Sequence, residues 1–561
     1  MMRSPVIVIL SSSASENAAR IQQAIGGDVH GLATRVAGAD VSFAGTKAHL
    51  QSLFKDRTPI IAVMAAGAVI RLLAPVLDDK HAEPPVIAVA DDGSAVVPLL
   101  GGHRGANDLA RRVGEALGVV AAVTTAGDVK FGVALDAPPD GYTLSNPEHA
   151  KAFMAAVVAG AYVQIDGDAS WLLASDLPIA NDAKHRIVVT HQIVEGDAKT
   201  LVYHPKQLVV GIGCERECAV EEVQTLVQDV LAKNHVAKQS VAGVCSIDLK
   251  ADEAAISEAA RMLGVPFRVF DAATLEAQTP RLKNPSDIVF AEVGCHGVAE
   301  GAALAAVGVQ GHLLVEKTKS KRATCAVAQA PDVITEMPGR ARGTLFVVGI
   351  GPGSKEWRSP QVTRMVGEAT DLVGYSLYLD LLGGLADDKT RHDFALGKEE
   401  DRVRHAMELA GQGKTVALVC SGDAGIYAMA TLVYELIAKD GVSDAAKRIE
   451  VINAPGISAL QAAAARAGAP LGNDFCTISL SDLLTPWADI QRRVRAAGEG
   501  DFVIAFYNPV SKRRRTQLAW ARDELLRHRP ANTPVVLATN LGRDGEAVRV
   551  VPLADLQVDD V

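Results

Sequence analysis

Residues 415–427, TVALVCSGDAGIY, bring an apolar run, two glycines and a carboxylate into one short stretch. The run ends in Ser421-Gly422-Asp423, which predicts a buried strand entering a tight turn. Gly422 and Gly425 admit unusual φ values and let backbone approach a ligand closely. Asp423 would stand at the strand's carboxyl end, where open α/β sheets place ligands. Five companions share this turn-rich character: GIGPG at 349–353, APGISAL at 454–460, LSDLLTPW at 480–487, YNPVSKRR at 507–514 and ATNLGRDGE at 538–546. Read alone, APGISAL is a helix start after a Pro-Gly turn. Tyr507-Asn508-Pro509 is equally a plain turn, with Asn bonding its own backbone. A further turn, GIGC at 211–214, lacks the third glycine of a dinucleotide loop because position 216 is Arg, so it reads as a strand-end turn.

The elements that must position these residues alternate strand and helix, which predicts α/β architecture with parallel or mixed sheets and flanking helices. The first region, 1–125, runs PVIVIL (5–10), PIIAVMAAGAVIRLLAPVL (59–77) and GHRGANDLARRVGEALG (102–118) as strands, turns and helices. Residues 126–205 read as a less regular connector with one helix near 147–160. Strand–loop–helix units resume over 206–328. Residues 329–343 have little apolar periodicity and read as a linker crossed by few buried contacts. A last unit, 344–561, begins with TLFVVGIGPG (344–353) and divides into lobes near 344–453 and 454–561.

Composition narrows the function. The chain has 561 residues, 48% of them hydrophobic and 4% aromatic, with net charge −10. The acidic balance and the absence of a basic, aromatic stripe argue against nucleic acid as a partner. The one dense basic run, Lys512 to Arg515, is either a solvated helix face or a contact for an acidic substrate. Seven scattered cysteines, with no secretion signal in the opening MMRSPVIVIL, predict reduced thiols and a cytoplasmic protein. Cys214 and Cys218 lack the usual zinc spacing, and no metal site is expected. No apolar run approaches ~20 residues, so no membrane span is expected.

Taken together and in order, the motifs of 343–561 resemble the tetrapyrrole methylases, and within them the precorrin-3B C17-methyltransferases of cobalamin biosynthesis. The resemblance implies two αβα lobes, S-adenosyl-L-methionine as methyl donor, a tetrapyrrole (precorrin) substrate and a homodimer formed through this half. It places Pro352 in the substrate trough. It lines the donor site with Ser421, Gly422, Asp423, Gly425, Ile426, Tyr427, Ser458, Ala459, Leu480, Ser481, Tyr507 and Asn508, and closes it with Thr539, Asn540 and Leu541. Methyl transfer to an electron-rich carbon calls for orientation and desolvation more than for a strong base. Ring contraction needs an acid and a base as well, with His392, Asp393, Asp423 and Asp482 as candidates. Members of this family usually continue beyond the point matching Val561, so the last sheet is expected to lack an edge or the chain to be truncated.

Residues 64–128, 208–218, SIDLKADE (246–253), EVGCHGVAE (292–300) and KTKSKRATCAVA (317–328) resemble the cobalt-precorrin-5A hydrolases over about 1–330. Those enzymes open a lactone and release acetaldehyde. One departure is Arg104 before a single Gly105, where the family shows Gly-Gly-Ala-Asn. Lactone hydrolysis needs a positioned water, a base and a donor for the oxyanion. Glu253, Glu292 and His296 could serve as bases, and Lys250 and Lys317 as oxyanion donors; His103 and Asn107 could bind substrate carboxylates. Two alternatives remain open. The amino-terminal half could be a non-catalytic tetrapyrrole-binding module, or the methylase could act on another tetrapyrrole intermediate. The metal state of the substrate, free or cobalt-loaded, is open as well.

Overall fold

The computed structural model describes residues 4–78, 83–124, 130–512 and 514–561, without the side chain of His103. The His103 side chain, a candidate for binding substrate carboxylates, and Arg513 of the basic run therefore lie outside the described residues. The chain divides into two compact units, Met1–Leu208 with Asp229–Ala242 and Gln329–Glu336, and Val209–Gln228 with Gly243–Ala328 and Met337–Val561.

In the first unit, β1 (Val6–Ile9), β2 (Asp28–Leu32), β3 (Val41–Phe43), β4 (Ile60–Val63), β5 (Val86–Val89) and β6 (Val96–Leu100) form one sheet in the order β3-β2-β1-β4-β5-β6. All neighbours are parallel except β5 and β6. Alternate residues of the same strands face opposite sides, and both sides are covered. Ile7, Ile9, Ile61 and Val63 pack under Ala18 and Ile21 of one helix and Ala110 and Val113 of another. Val6, Val8, Ile60 and Ala62 pack on the other side with Leu50, Phe54, Val69 and Leu73. Two-sided burial is why these strands read as unbroken apolar runs.

The stretch expected as an irregular connector holds a sheet of its own. β7 (Tyr142–Leu144), β8 (Val163–Asp166), β9 (His185–Val189) and β10 (Thr200–Pro205) assemble in the order β7-β10-β9-β8. Phe153, Leu172, Ile187, Leu201 and Tyr203 are buried in its core. The strands are only three to six residues long. Such short runs give little periodicity to read.

In the second unit, β11 (Leu208–Cys214), β12 (Val241–Ile247), β13 (Phe267–Phe270), β14 (His312–Lys319) and β15 (Ala323–Gln329) form a sheet ordered β13-β12-β11-β15-β14. β16 (Thr344–Gly349), β17 (Asp371–Tyr375), β18 (Thr390–Phe394), β19 (Thr415–Cys420) and β20 (Glu450–Ala454) form an all-parallel sheet ordered β18-β17-β19-β16-β20. The final lobe has β21 (Phe475–Ser479) parallel to β22 (Val503–Tyr507), and β23 (Pro534–Thr539) antiparallel to β24 (Ala547–Pro552). A common core of Ile478, Leu480, Ile490, Val494, Leu518, Leu525 and Leu553 binds both strand pairs to their helices.

Residues 329–343 are tied down rather than free. Ala330 N–H donates to Gln207 O at 2.9 Å and Ile334 N–H to Lys206 O at 2.8 Å. Met337 is buried against Gly243. Arg340 exchanges backbone hydrogen bonds with Val269 and reaches the Gly411 carbonyl, while Arg342 donates to the carbonyls of Arg448 and Ile449 at 2.9 and 3.1 Å. The contacts come from single residues bonding backbone, which leaves no periodic apolar pattern in the sequence.

Candidate functional site

The loops after β16, β19 and β20 leave the carboxyl edge of one parallel sheet and meet there. Gly351 and Gly422 exchange backbone hydrogen bonds, at 3.1 Å for Gly351 N–H and 2.8 Å for Gly422 N–H. Three glycines make this approach possible. A Cβ on Gly456 would stand 2.1 Å from Gly422 O and 2.5 Å from Gly349 O, and one on Gly349 would stand 2.5 Å from Gly422 O. No real Cβ tolerates such contacts. Gly422 itself has room for a methyl group but adopts φ +67°. Asp423 links two loops, accepting from Gly425 N–H at 2.7 Å through one oxygen and from Gly456 N–H at 3.0 Å through the other.

The second lobe completes the site. Ser458 caps the helix Ala459–Ala467 in a capping box with Gln461 and bonds the Tyr507 hydroxyl. Tyr507 also accepts from Leu460 N–H at 3.3 Å, and its ring stands 5.0 Å from that of Tyr427. Tyr427 donates to Thr477 O at 3.0 Å. Leu480, fully buried, donates its N–H to Tyr507 O at 2.9 Å. Asn508 bonds Ser479 Oγ at 3.3 Å, and Arg514 ties Ser481 Oγ to the Asn508 carbonyl. Tyr427, Asn508 and Asn540 all have φ near +50°, a region non-glycine residues rarely enter. Such backbone persists where the surroundings over-determine it, which is common at ligand sites. Ile426, Tyr427 and Ile457 leave apolar surface exposed on the loops that meet here.

The structure thus gathers Pro352, Ser421, Gly422, Asp423, Gly425, Tyr427, Ser458, Leu480, Ser481, Tyr507 and Asn508 into one contact network. Ile426 and Ala459 are exposed beside it, as are Thr539 and Asn540, while Leu541 is buried. Sequence reasoning missed Arg543. Its Nε donates to Pro352 O at 2.5 Å and its Nη2 to Ser421 Oγ at 2.9 Å, joining the 540–546 loop to the first lobe. The only signal was its place in ATNLGRDGE. Of the basic run, Arg514 bonds Ser481 Oγ and the Asn508 carbonyl, whereas Arg515 is exposed and pairs with exposed Asp559 on the surface.

His392 is not brought to these loops. It lies on edge strand β18 opposite Val373, and its Nε2 bonds Asp371 at the amino end of β17 at 3.0 Å. Asp371, buried, also accepts from Lys414 Nζ at 2.8 Å, and His405 bonds the other His392 nitrogen at 2.9 Å. Burial opposes ionisation of Asp371, but the bonds from Lys414, His392 and Thr370 outweigh it and hold its pKa below the ordinary range. This network stands at the opposite end of the strands from Ser421, where it braces the sheet. Asp393 is exposed and paired with Arg391 at 2.9 Å, and Asp482 accepts from Gln517 at 3.0 Å.

A second constellation stands at the carboxyl ends of β11 and β12. Glu253 is buried, 3.8 Å from Lys250 Nζ and 3.7 Å from Arg216 Nη1. Arg216 also bonds Asp252 at 2.6 Å. Burial lowers the Lys250 pKa and, with the nearby Glu253 charge, pushes the Cys214 thiol up to about 12. Sequence reasoning found Lys250 and Glu253 but not Cys214, Arg216 and Asp252 beside them. His296 has its Nδ1 bonded to Glu276 at 2.9 Å and its ring stacked on Phe290 at 4.4 Å. Glu292 is exposed, and Lys317 Nζ donates to Asn284 O at 2.5 Å. Among the described residues no single helix is long and apolar enough to cross a membrane.

Three family models match the chain: Cobalamin synthesis G N-terminal over 48–128, Cobalamin synthesis G C-terminus over 208–328, and Tetrapyrrole (Corrin/Porphyrin) Methylases over 344–557. The chain is 45% identical over 213 residues to a precorrin-3B C(17)-methyltransferase of Sinorhizobium sp, covering 38% of this chain and 83% of that protein. It is 33% identical over 306 residues to a cobalt-precorrin-5A hydrolase of Priestia megaterium, covering 50% of this chain and 81% of that protein. The solved structure of the methyltransferase CobJ aligns with TM-score 0.37 and 39% identity, over 39% of this chain and 90% of that one. The chain spans 40% of the length of a cobalt-factor III methyltransferase of Priestia megaterium, which it also matches. With most of a methyltransferase and most of a hydrolase covered at these identities, the chain belongs to the tetrapyrrole methylases through its carboxy-terminal part and to the cobalamin synthesis G family through the part before it.

Proposed function

We propose that residues 344–561 bind S-adenosyl-L-methionine and catalyse C17 methylation and ring contraction of precorrin-3B, or its cobalt form, to the precorrin-4 level. The observation that carries this reading is the left-handed backbone at Gly422 and Tyr427 on the loop after β19, and at Asn508 and Asn540 on the loops after β22 and β23. The donor supplies an electrophilic methyl group on a sulfonium. The chain supplies position. Asp423 fixes the 421–427 and 454–458 loops to each other, Tyr507 fixes the second lobe to the same place, and exposed Ile426 and Ile457 exclude water from an apolar ligand face.

The amino-terminal part acts, in this reading, as a cobalt-precorrin-5A hydrolase. Glu253 takes a proton from water, and Lys250 and Arg216 stabilise negative charge on the opening lactone. Free cysteines fit a reducing, cytoplasmic setting, and a homodimer through the methylase part completes the proposal. Its test is incubation with methyl-labelled S-adenosylmethionine and either precorrin-3B or its cobalt form. The expected product carries one more labelled methyl and a contracted ring. In a parallel incubation, cobalt-precorrin-5A should release acetaldehyde. Unlabelled tetrapyrrole from every incubation would refute the methylase reading, and absence of acetaldehyde would leave the amino-terminal part as a binding module.

A further inference from the structure

Two arginines stand near Tyr378 with no carboxylate partner among the described residues. Arg402, on the helix Glu399–Gly411, is 2% exposed. One nitrogen donates to Ala395 O at 2.9 Å, one meets Met429 Sδ at 3.4 Å, and its Nε has no partner. A buried guanidinium without a counter-charge is costly, so a fold that keeps one gains from an anion brought close. Arg543 spends two N–H groups on Pro352 O and Ser421 Oγ. A guanidinium has five, so three remain. Its Cζ stands 6.0 Å from the centre of the Tyr378 ring. Burial pushes the Tyr378 phenol up, while both guanidiniums favour its ionised form, which places all three groups in one electrostatic neighbourhood. Tyr378 is half-buried, and its hydroxyl makes no hydrogen bond among the described residues.

We propose that Arg543 and the Tyr378 hydroxyl form a carboxylate-binding subsite beside Ser421, with the buried Arg402 charge behind it. This rests on the methylase reading and deepens it. A planar guanidinium with free N–H groups recognises a carboxylate through paired hydrogen bonds. The ligand group is a carboxylate arm of the tetrapyrrole or the α-carboxylate of the donor. Arg402 is a positioning residue, since its burial keeps it from direct contact.

The test uses the full chain and the variants Arg543→Gln and Tyr378→Phe. S-adenosylhomocysteine binding is measured by calorimetry, and binding of the tetrapyrrole and of its methyl esters by absorbance titration. If the arm belongs to the tetrapyrrole, Arg543→Gln weakens its binding at least tenfold and Tyr378→Phe about threefold. S-adenosylhomocysteine then holds within twofold, which also reports an intact fold, and the methyl esters bind wild type and Arg543→Gln alike. The reverse pattern assigns the carboxylate to the donor. If Arg543→Gln loses both ligands, Tyr378→Phe decides: a selective loss supports the subsite and no loss overturns it. Both variants binding both ligands within twofold of wild type would overturn it too. A wild-type chain that bound neither ligand would bring down the methylase reading itself, and the subsite with it.

Discussion

Around Gly422 the loops are held by backbone. Gly349, Gly422 and Gly456 stand so close that a single added methyl at position 349 or 456 would collide with a carbonyl, and Asp423 serves mainly to accept two loop N–H groups. Around Glu253 the site is held by charge. Lys250, Arg216 and Asp252 surround one buried carboxylate, and the helix Ala254–Leu263 follows directly. The contrast matches the chemistry each part is proposed to perform. Methyl transfer rewards fixed geometry, whereas lactone hydrolysis needs a proton acceptor and a cation. It follows that the first site should fail when shape changes and the second when charge changes.

The largest expected effect separates the two at once. Glu253→Gln, which keeps shape and removes charge, should lower acetaldehyde release at least a hundredfold, about 3 kcal/mol in the barrier, with methyl transfer unchanged. Loss of both activities would erase the distinction. Gly456→Val should do the converse: about 3 kcal/mol of destabilisation by denaturant unfolding, from overpacking against two carbonyls, and no detectable S-adenosylhomocysteine binding. Acetaldehyde release should persist.

Asp423→Asn is a subtler probe. The amide has one acceptor oxygen where two are used, so one loop N–H loses its charged partner at about 2 kcal/mol. Donor affinity should fall tenfold or more by calorimetry, and an unchanged affinity would show the loops need no such tie. A smaller, pH-dependent effect belongs to the first unit and should leave the donor site untouched. His30 is buried, bonded to His49 at 2.8 Å, and burial lowers its pKa to about 4. A neutral buried imidazole contributes fully above the unfolded pKa of about 6.5 and progressively less as pH falls toward its folded value. Unfolding of the first unit should therefore lose about 1.2 kcal/mol between pH 7 and pH 5.5. His30→Leu should flatten that dependence, and an unaltered slope would place the acid sensitivity elsewhere.

The strands around both sites were legible because two-sided burial makes them continuous apolar runs, as at TVALVC and LVVGIGC. The donor loops were legible because glycine and proline punctuate strand ends. What stayed hidden depended on register and on distant partners. His392 looked available as an acid, yet pairing of β18 with β17 aims it at buried Asp371. Arg543 became visible only when a loop 122 residues after Ser421 folded back onto it. Cys214 and Arg216 lay in a turn whose missing third glycine made it look plain. The β7–β10 sheet had strands too short to show a period.

The account's central claim, a donor site made by backbone shape on the 421–427 loop, is tested most directly at Gly422. A valine there has room for its first carbon but must adopt φ +67° with a branched side chain. Calorimetric titration of S-adenosylhomocysteine into wild type and Gly422→Val is the measurement. The account predicts clear binding to wild type and none detectable to the variant, with acetaldehyde release retained. Affinity retained within about threefold, roughly 0.7 kcal/mol, would contradict it.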